Sequence, residues 1–192
     1  MNTNTKSQQA VEQGRTQYMK LISNSASATL GMALAVAGIL IAAPGAHAAA
    51  TVCTADNNFM QAAAQGGMTE VKLGELAAQK GTRDDVKEFG QMMVKDHTAI
   101  NDDLKTLAAQ KGVTLPDSLD AKHQEMVDKM EALAGSKFDD AYITGMRECH
   151  KKDAKGFKAE SAKTKDTDIK SFVDKSIPIV EEHCKSINAM KK

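Results

Sequence analysis

The sequence predicts an all-α fold, a four-helix bundle whose second and third helices are joined by one long crossover. Long segments rich in alanine and charged residues carry apolar residues at i+3 and i+4 spacing, as on one face of a helix. The alternation of apolar and polar residues that is typical of strands is absent. Two connections are short, which predicts antiparallel neighbours, whereas the third is long enough to run back along the bundle.

The first two predicted helices span 56–80 and 84–111. Asp56 is the expected N-cap of the first helix, and Gly81 and Gly112 are expected to end the two helices. The apolar face of the first helix consists of Phe59, Ala63, Gly66, Glu70, Leu73 and Ala77. The apolar face of the second consists of Val86, Phe89, Met93, His97, Ile100, Leu104 and Leu107.

The last two predicted helices begin at Ser136 and near Thr167. Ser136 and Asp139 have the spacing of a capping box, and Pro178 is expected to bend the fourth helix without dividing it. The apolar face of the third helix consists of Phe138, Tyr142, Met146, His150, Asp153 and Phe157. The apolar face of the fourth consists of Ile169, Phe172, Val173, Ser176, Val180, His183 and Ile187.

The long connection covers 112–135 and is expected to contain an extra helix over 119–134. A bundle with one long crossover is the ferritin-like arrangement, in which the second and third helices point the same way.

Four ionisable side chains lie on these apolar faces, one on each helix: Glu70, His97, His150 and His183. At 1.5 Å per residue, their heights along the bundle agree to within about 10 Å. A buried charge or imidazole is costly unless it is paired or bound to a metal, and bundle-core metal sites take ligands from facing helices. The sequence therefore predicts a site for one transition metal, with zinc, copper and iron as candidates.

Three nearby residues extend this hypothesis. Asp153 is a candidate for holding a ligand in place from outside the metal's own ligand set. Met93 and Met146 precede two of the histidines by four residues; their thioethers would favour Cu(I) as ligands, or they fill the core. The alternative for the whole set is a hydrogen-bonded polar layer in a structural or stress-related envelope protein.

Five phrases recur together in one known family: 59–70 (FMQAAAQGGMTE), 87–97 (KEFGQMMVKDH), 112–116 (GVTLP), 138–142 (FDDAY) and 177–178 (IP). The set resembles the bacterial exported family called domain of unknown function 4142, of the ferritin-like superfamily, over roughly 56–190. The resemblance implies a ferritin-like bundle in the periplasm or envelope and no particular activity. It places recurring residues at Glu70, His97, His150, His183, Phe138, Asp139 and Tyr142.

Ferroxidase chemistry is not expected. A di-iron bundle carries Glu-x-x-His on two helices, but Val94 and Val180 stand three residues before His97 and His183. The sequence also lacks a glycine-rich phosphate loop, a nucleophile elbow and a His-Glu-x-x-His motif. The sequence gives little support for an enzyme and does not decide the question; a redox enzyme stays open if the metal is copper or iron.

Residues 1–48 have the pattern of a signal peptide that is cleaved after Ala48. Lys6, Arg15 and Lys20 precede the short apolar run 30–43, and small residues flank His47. An uncleaved anchor is the alternative. Cleavage would leave a short segment 49–55 and a bundle domain 56–192 in an exported, periplasmic protein without a stable membrane span.

The charge balance argues against nucleic acid as a partner. The leader carries three of the 25 basic and one of the 25 acidic residues, which leaves 22 and 24 in the mature chain and no basic patch. Protein partners are not indicated. Cys149 and Cys184 allow either a disulfide between the third and fourth helices or buried free thiols, with Cys53 left over.

Overall fold

The computed structural model describes residues 52–191, and the predicted signal peptide lies outside this range. All regular structure within 52–191 is helical, as predicted. The five helices are α1 (Thr54–Lys80), α2 (Asp84–Lys111), α3 (Ala121–Glu131), α4 (Gly135–Lys163) and α5 (Thr167–Ala189). None of them is long and apolar enough to cross a membrane.

The four long helices form a closed bundle with the predicted crossover. α1 packs on α2 and α4 packs on α5, while α1–α4 and α2–α5 contacts complete the square. The turn between α1 and α2 contacts the beginning of α4, because the backbone amides of Thr82 and Arg83 donate to the carboxylate of Asp139. α2 and α4 therefore begin at the same end of the bundle and run in the same direction, as the crossover arrangement requires.

The crossover returns along α1. The side-chain amide of Gln65 donates to the carbonyl of Ser118 at 2.9 Å and its oxygen accepts from the amide of Asp120 at 2.9 Å. Near the other end, Lys80 donates to the carbonyl of Glu131. The extra helix was predicted over 119–134; α3 is shorter because Asp120 caps its first turn, accepting from the amide of His123.

The predicted capping box at Ser136 is wrong. α4 begins one residue earlier, after Ala134, and no side chain caps it. Asp139 turns away from its own helix and accepts from Thr82, including its hydroxyl, so a tertiary contact replaces the local one.

The predicted N-cap at Asp56 is also wrong. α1 begins at Thr54, and Cys53 caps it through a contact of its sulfur with the amide of Asp56 at 3.4 Å. The carboxylate of Asp56 is buried and accepts from the hydroxyl of Thr164 at 3.2 Å, at the end of α4.

The predicted apolar faces of α2 and α5 are buried throughout, and so is that of α4 apart from half-buried Asp153. The first half of α1 is rotated by one residue from its prediction: Met60, Ala64 and Gly67 are buried, whereas Phe59, Ala63 and Gly66 are half-buried. Met60 and Ala64 pack into the cluster that contains residues of α2, so the contact with α2 sets the buried face there. Phe59 packs edge-on against the ring of Phe157 on α4, with the ring centroids 5.2 Å apart.

Two apolar clusters fill the bundle, one on each side of the predicted polar layer. One contains Leu73, Phe89, Met93, Tyr142, Met146 and Ile187. The other contains Met60, Ile100, Leu104, Phe157, Ile169 and Phe172. On every long helix, the candidate site residue lies between a residue of the first cluster and a residue of the second. The apolar packing therefore positions the four polar side chains at one level.

Candidate metal centre

Glu70, His97, His150 and His183 converge inside the bundle. Their exposed fractions are 4%, 3%, 0% and 1%. The three imidazole ring centroids lie 5.1–5.7 Å from one another. Each ring offers one nitrogen to a group whose members all lie within 4.8 Å of one another, so small movements of the rings would bring them onto one metal ion. The buried three-histidine cluster can therefore hold a metal.

The Glu70 carboxylate contacts two of the histidines. Its Oε2 lies 3.1 Å from Nδ1 of His97, and its Oε1 lies 3.6 Å from Nε2 of His150. The carboxyl oxygen beside Nδ1 pairs with that nitrogen, which leaves Nε2 as the nitrogen of His97 without a partner.

His150 is held by its own helix. Its Nδ1 donates to the carbonyl of Met146 at 2.9 Å, one turn earlier in α4. Because a carbonyl only accepts, this contact places the proton on Nδ1 and the lone pair on Nε2.

Asp96 holds His183 and is a residue that the sequence reasoning missed. Nε2 of His183 donates to Oδ2 of Asp96 at 2.9 Å across the α2–α5 contact, which leaves the lone pair on Nδ1. Asp96 directly precedes His97 in the sequence, but adjacent residues on a helix do not face each other, so this proximity does not indicate a contact within α2. One feature of the sequence could have identified it. Asp96 is an acidic residue at the edge of the apolar face of α2, at the same level along the bundle as a histidine on another helix.

The cluster has buried polar atoms without a hydrogen-bond partner among residues 52–191. They are Nε2 of His97, Nε2 of His150, Nδ1 of His183 and Oε1 of Glu70. Each histidine thus has one nitrogen engaged and the other buried and free. Native interiors satisfy most buried polar atoms, so such a group needs an explanation.

The protein environment keeps the imidazoles of His97 and His150 neutral. Burial, assisted by the neighbouring histidines, lowers the pKa of His97 to about 2, and burial lowers the pKa of His150 to about 4. Neutral imidazole is the form that binds metals. Burial, followed by the charge of Asp153, raises the pKa of Glu70 well above its ordinary value.

Asp153, predicted as a supporting group, lies beside Glu70. It is half-buried on α4, and with Glu70 and His97 it lines a cavity of about 20 Å³. Burial raises the pKa of Asp153 as well. Two carboxyl groups therefore lie against the histidine cluster on the side of α1 and α4.

The sulfur-containing candidates are placed as follows. Met93 and Met146 are fully buried in the apolar cluster with Leu73 and Phe89, which agrees with a core-filling role. Cys149 and Cys184 are free thiols in the structure and half-buried. Burial raises the pKa of Cys149 to about 12, so this thiol stays protonated near neutral pH.

The Phe-Asp-x-x-Tyr element supports the site from the end of the bundle. Asp139 ties α4 to the turn between α1 and α2, while Phe138 and Tyr142 stack with their ring centroids 5.9 Å apart. Burial, and then the charge of Glu70, raises the pKa of Tyr142, whose hydroxyl has no partner among the described residues. The element fixes the position of α4 two to three turns before His150.

These features define a crossover four-helix bundle with a buried histidine cluster able to hold a metal ion. The sequence model of the family described as Domain of unknown function (DUF4142) matches residues 42–190, and the chain belongs to this family.

The comparison with solved structures supports the fold. The chain is similar to a crystal structure of a DUF305 fragment from Deinococcus radiodurans, with a TM-score of 0.63 and 8% sequence identity. The similarity covers 72% of this chain and 96% of that one. A search of curated proteins finds no match.

Proposed function

We propose that this protein binds one transition metal ion in the bundle core through His97, His150 and His183. The observation that carries the proposal is the set of three buried, unpartnered imidazole nitrogens, one on each ring. A metal bound to them would satisfy all three atoms at once. Zinc–nitrogen bonds of about 2.0–2.1 Å place the nitrogens around one tetrahedral ion about 3.4 Å apart. One nitrogen of each ring already lies within 4.8 Å of the others, so binding would draw the rings slightly together.

Each histidine ligand is oriented by one neighbouring group of the protein. Glu70 faces Nδ1 of His97, the Met146 carbonyl accepts from His150, and Asp96 accepts from His183. Metal-binding histidines commonly donate their second nitrogen in this way, which fixes the ring and makes it more basic. The sequence predicted Glu70 as a fourth ligand; we propose that it orients His97, because its Oε2 already faces that ring.

Zinc, copper and iron are the candidate metals. Three imidazoles suit all three, and the two carboxyl groups of Glu70 and Asp153 offset part of the charge of a divalent ion in the dry interior. The sequence lacks the Glu-x-x-His pairs of di-iron bundles. We therefore propose one ion and no ferroxidase activity.

The competing function is a structural envelope protein with a purely hydrogen-bonded polar core. Each histidine does have one satisfied nitrogen, which is what such a core needs. The three remaining nitrogens count against it, because buried groups without partners cost about 1–3 kcal/mol each. We also propose, from the leader pattern at 1–48, that the protein works after export to the periplasm.

Metal content separates the two functions. The untagged domain, purified without chelator, is expected to carry or take up close to one equivalent of zinc, copper or iron, and chelation is expected to lower its melting temperature. His183→Gln is expected to lose the metal. His123→Gln is the matched control, because His123 pairs with Asp120 on α3, outside the cluster. Binding of less than a tenth of an equivalent by the wild type, with no effect of added metal on melting, would favour the structural function.

A further inference from the structure

A small cavity lies beside His97, one of the three histidines of the cluster, and beside Glu70. Three of its lining residues are half-buried: Ala63 and Gly66 on α1 and Asp153 on α4. The rest of its lining, which includes Gly67, Glu70 and His97, is buried. The cavity therefore approaches solvent along the contact between α1 and α4.

Gly66 lies in the half-buried part of the cavity lining. A Cβ atom at position 66 would meet no other atom within 4 Å, so this position has room for a larger side chain. Its neighbour Gly67 differs, since a Cβ there would lie 2.0 Å from Oδ1 of Asn101. Gly67 thus serves close packing between α1 and α2, whereas position 66 can be enlarged to narrow the half-buried side of the cavity.

The size and lining of the cavity select its occupant. A volume of about 20 Å³ holds one water-sized molecule, since about 10–15 Å³ is the minimum for a water. Oε1 of Glu70 is buried without a partner and needs a hydrogen-bond donor. Two carboxyl groups at the cavity disfavour an anion. A neutral donor such as water fits both conditions.

We propose that the metal in the histidine cluster keeps one open coordination position in this cavity, filled by a single exchangeable water that enters past Gly66. This inference rests on the proposed metal site and specifies that the site is open to an external ligand. Structural metal sites are closed by protein ligands, while three protein ligands with a water define a site that can bind an external ligand. Glu70 and Asp153 would accept hydrogen bonds from that water.

The test uses Cu(II) as a paramagnetic probe and the longitudinal relaxation rate of bulk water protons as the readout. Copper binds nitrogen sites most tightly among the divalent first-row metals, so it is the ion most certain to load. The wild-type chain with one equivalent of Cu(II) is expected to show relaxation enhanced by an exchanging bound water. Gly66→Leu is expected to keep copper and lose the enhancement.

Gly156→Leu is the matched control. Gly156 is also inside a helix, and a Cβ added there would meet nothing within 4 Å, but the residue is exposed and does not line the cavity. Both changes raise helix propensity by about 1 kcal/mol, so both variants are expected to fold. The control should relax water protons as the wild type does.

The outcomes are separable. Copper binding by the wild type without enhanced relaxation would overturn the open position and leave the metal site standing. Enhancement that persists in Gly66→Leu would overturn the entry route. A wild type that fails to bind copper would overturn the metal site and this inference together.

Discussion

In each histidine of the cluster, one ring nitrogen contacts another group of the protein and the other ring nitrogen has no partner. Glu70, a backbone carbonyl and Asp96 engage the first nitrogens, so the three rings are oriented from three directions. Burial lowers the pKa values of His97 and His150 and so keeps these two rings neutral. Ring orientation and protonation state both suit metal binding at the free nitrogens.

Asp96→Asn tests the role of the holding groups. The amide oxygen can still accept from His183, but the negative charge that makes the ring more basic is gone. We expect the affinity for the metal to fall about 10–100-fold, as for other outer partners of histidine ligands. Competition with a chromophoric chelator measures the affinity for the metal. Asp102→Asn, an exposed residue of the same helix that pairs with Lys105, is the control. Equal affinities in the two variants would show that Asp96 does not act on the site.

At the scale of helices, every residue that sequence periodicity assigned to the buried faces of α2 and α5 is buried, and α2 also buries Gly90 and Ala108. Periodicity failed where contacts between elements decide the outcome. Asp139 has the spacing of a local cap, yet it bonds the α1–α2 turn, and Asp56 bonds Thr164 at the far end of α4. Neither partner is close in sequence. Asp96 was missed for the same reason, since its histidine lies 87 residues away.

A second buried carboxyl pair, away from the histidine cluster, makes a pH-dependent contribution to stability. Burial, and then hydrogen bonding and charge from Asp56, raises the pKa of Glu160 from 4.5 to about 7. The native state therefore holds a proton that the unfolded state has released between these pH values, so this contribution to stability falls as pH rises from 4.5 through 7.

Glu160→Gln should remove that dependence. The amide does not ionise, so the melting temperature of the variant is expected to match that of the wild type at pH 5 and to exceed it at pH 8. In a chain of this size, a shift of about 2–4 °C in melting temperature corresponds to about 1 kcal/mol. Glu148→Gln, an exposed residue of the same helix, should leave the pH profile unchanged. Melting curves across pH 5–8 give the result, and a Glu160→Gln variant less stable than the wild type at pH 8 would contradict it.

The whole molecule is a bundle in which two apolar clusters flank a polar layer. The sequence predicted this layer because four helical faces each carry one ionisable residue between apolar ones, and the crossover brings the faces to one height. It could not predict which nitrogen of each ring is free, because that depends on partners such as Asp96 and the Met146 carbonyl. It also could not predict the cavity, which depends on how the long helices pack around Glu70 and His97.

Export is the prediction that concerns the chain as a whole. In a Gram-negative host, the periplasmic protein is expected to begin at Ala49, as shown by its intact mass, because small residues precede the expected cleavage site. Ala48→Arg should keep the leader, and Ala50→Arg should be processed normally. A full-length wild-type protein in the cytoplasmic fraction would refute the assignment.

Anomalous diffraction from crystals of the zinc-loaded domain tests the central claim most directly. We predict one strong peak inside the bundle, about 2.0–2.1 Å from Nε2 of His97, Nε2 of His150 and Nδ1 of His183. Crystals of the zinc-treated protein with no peak among these three rings, or with zinc only at the surface, would contradict it.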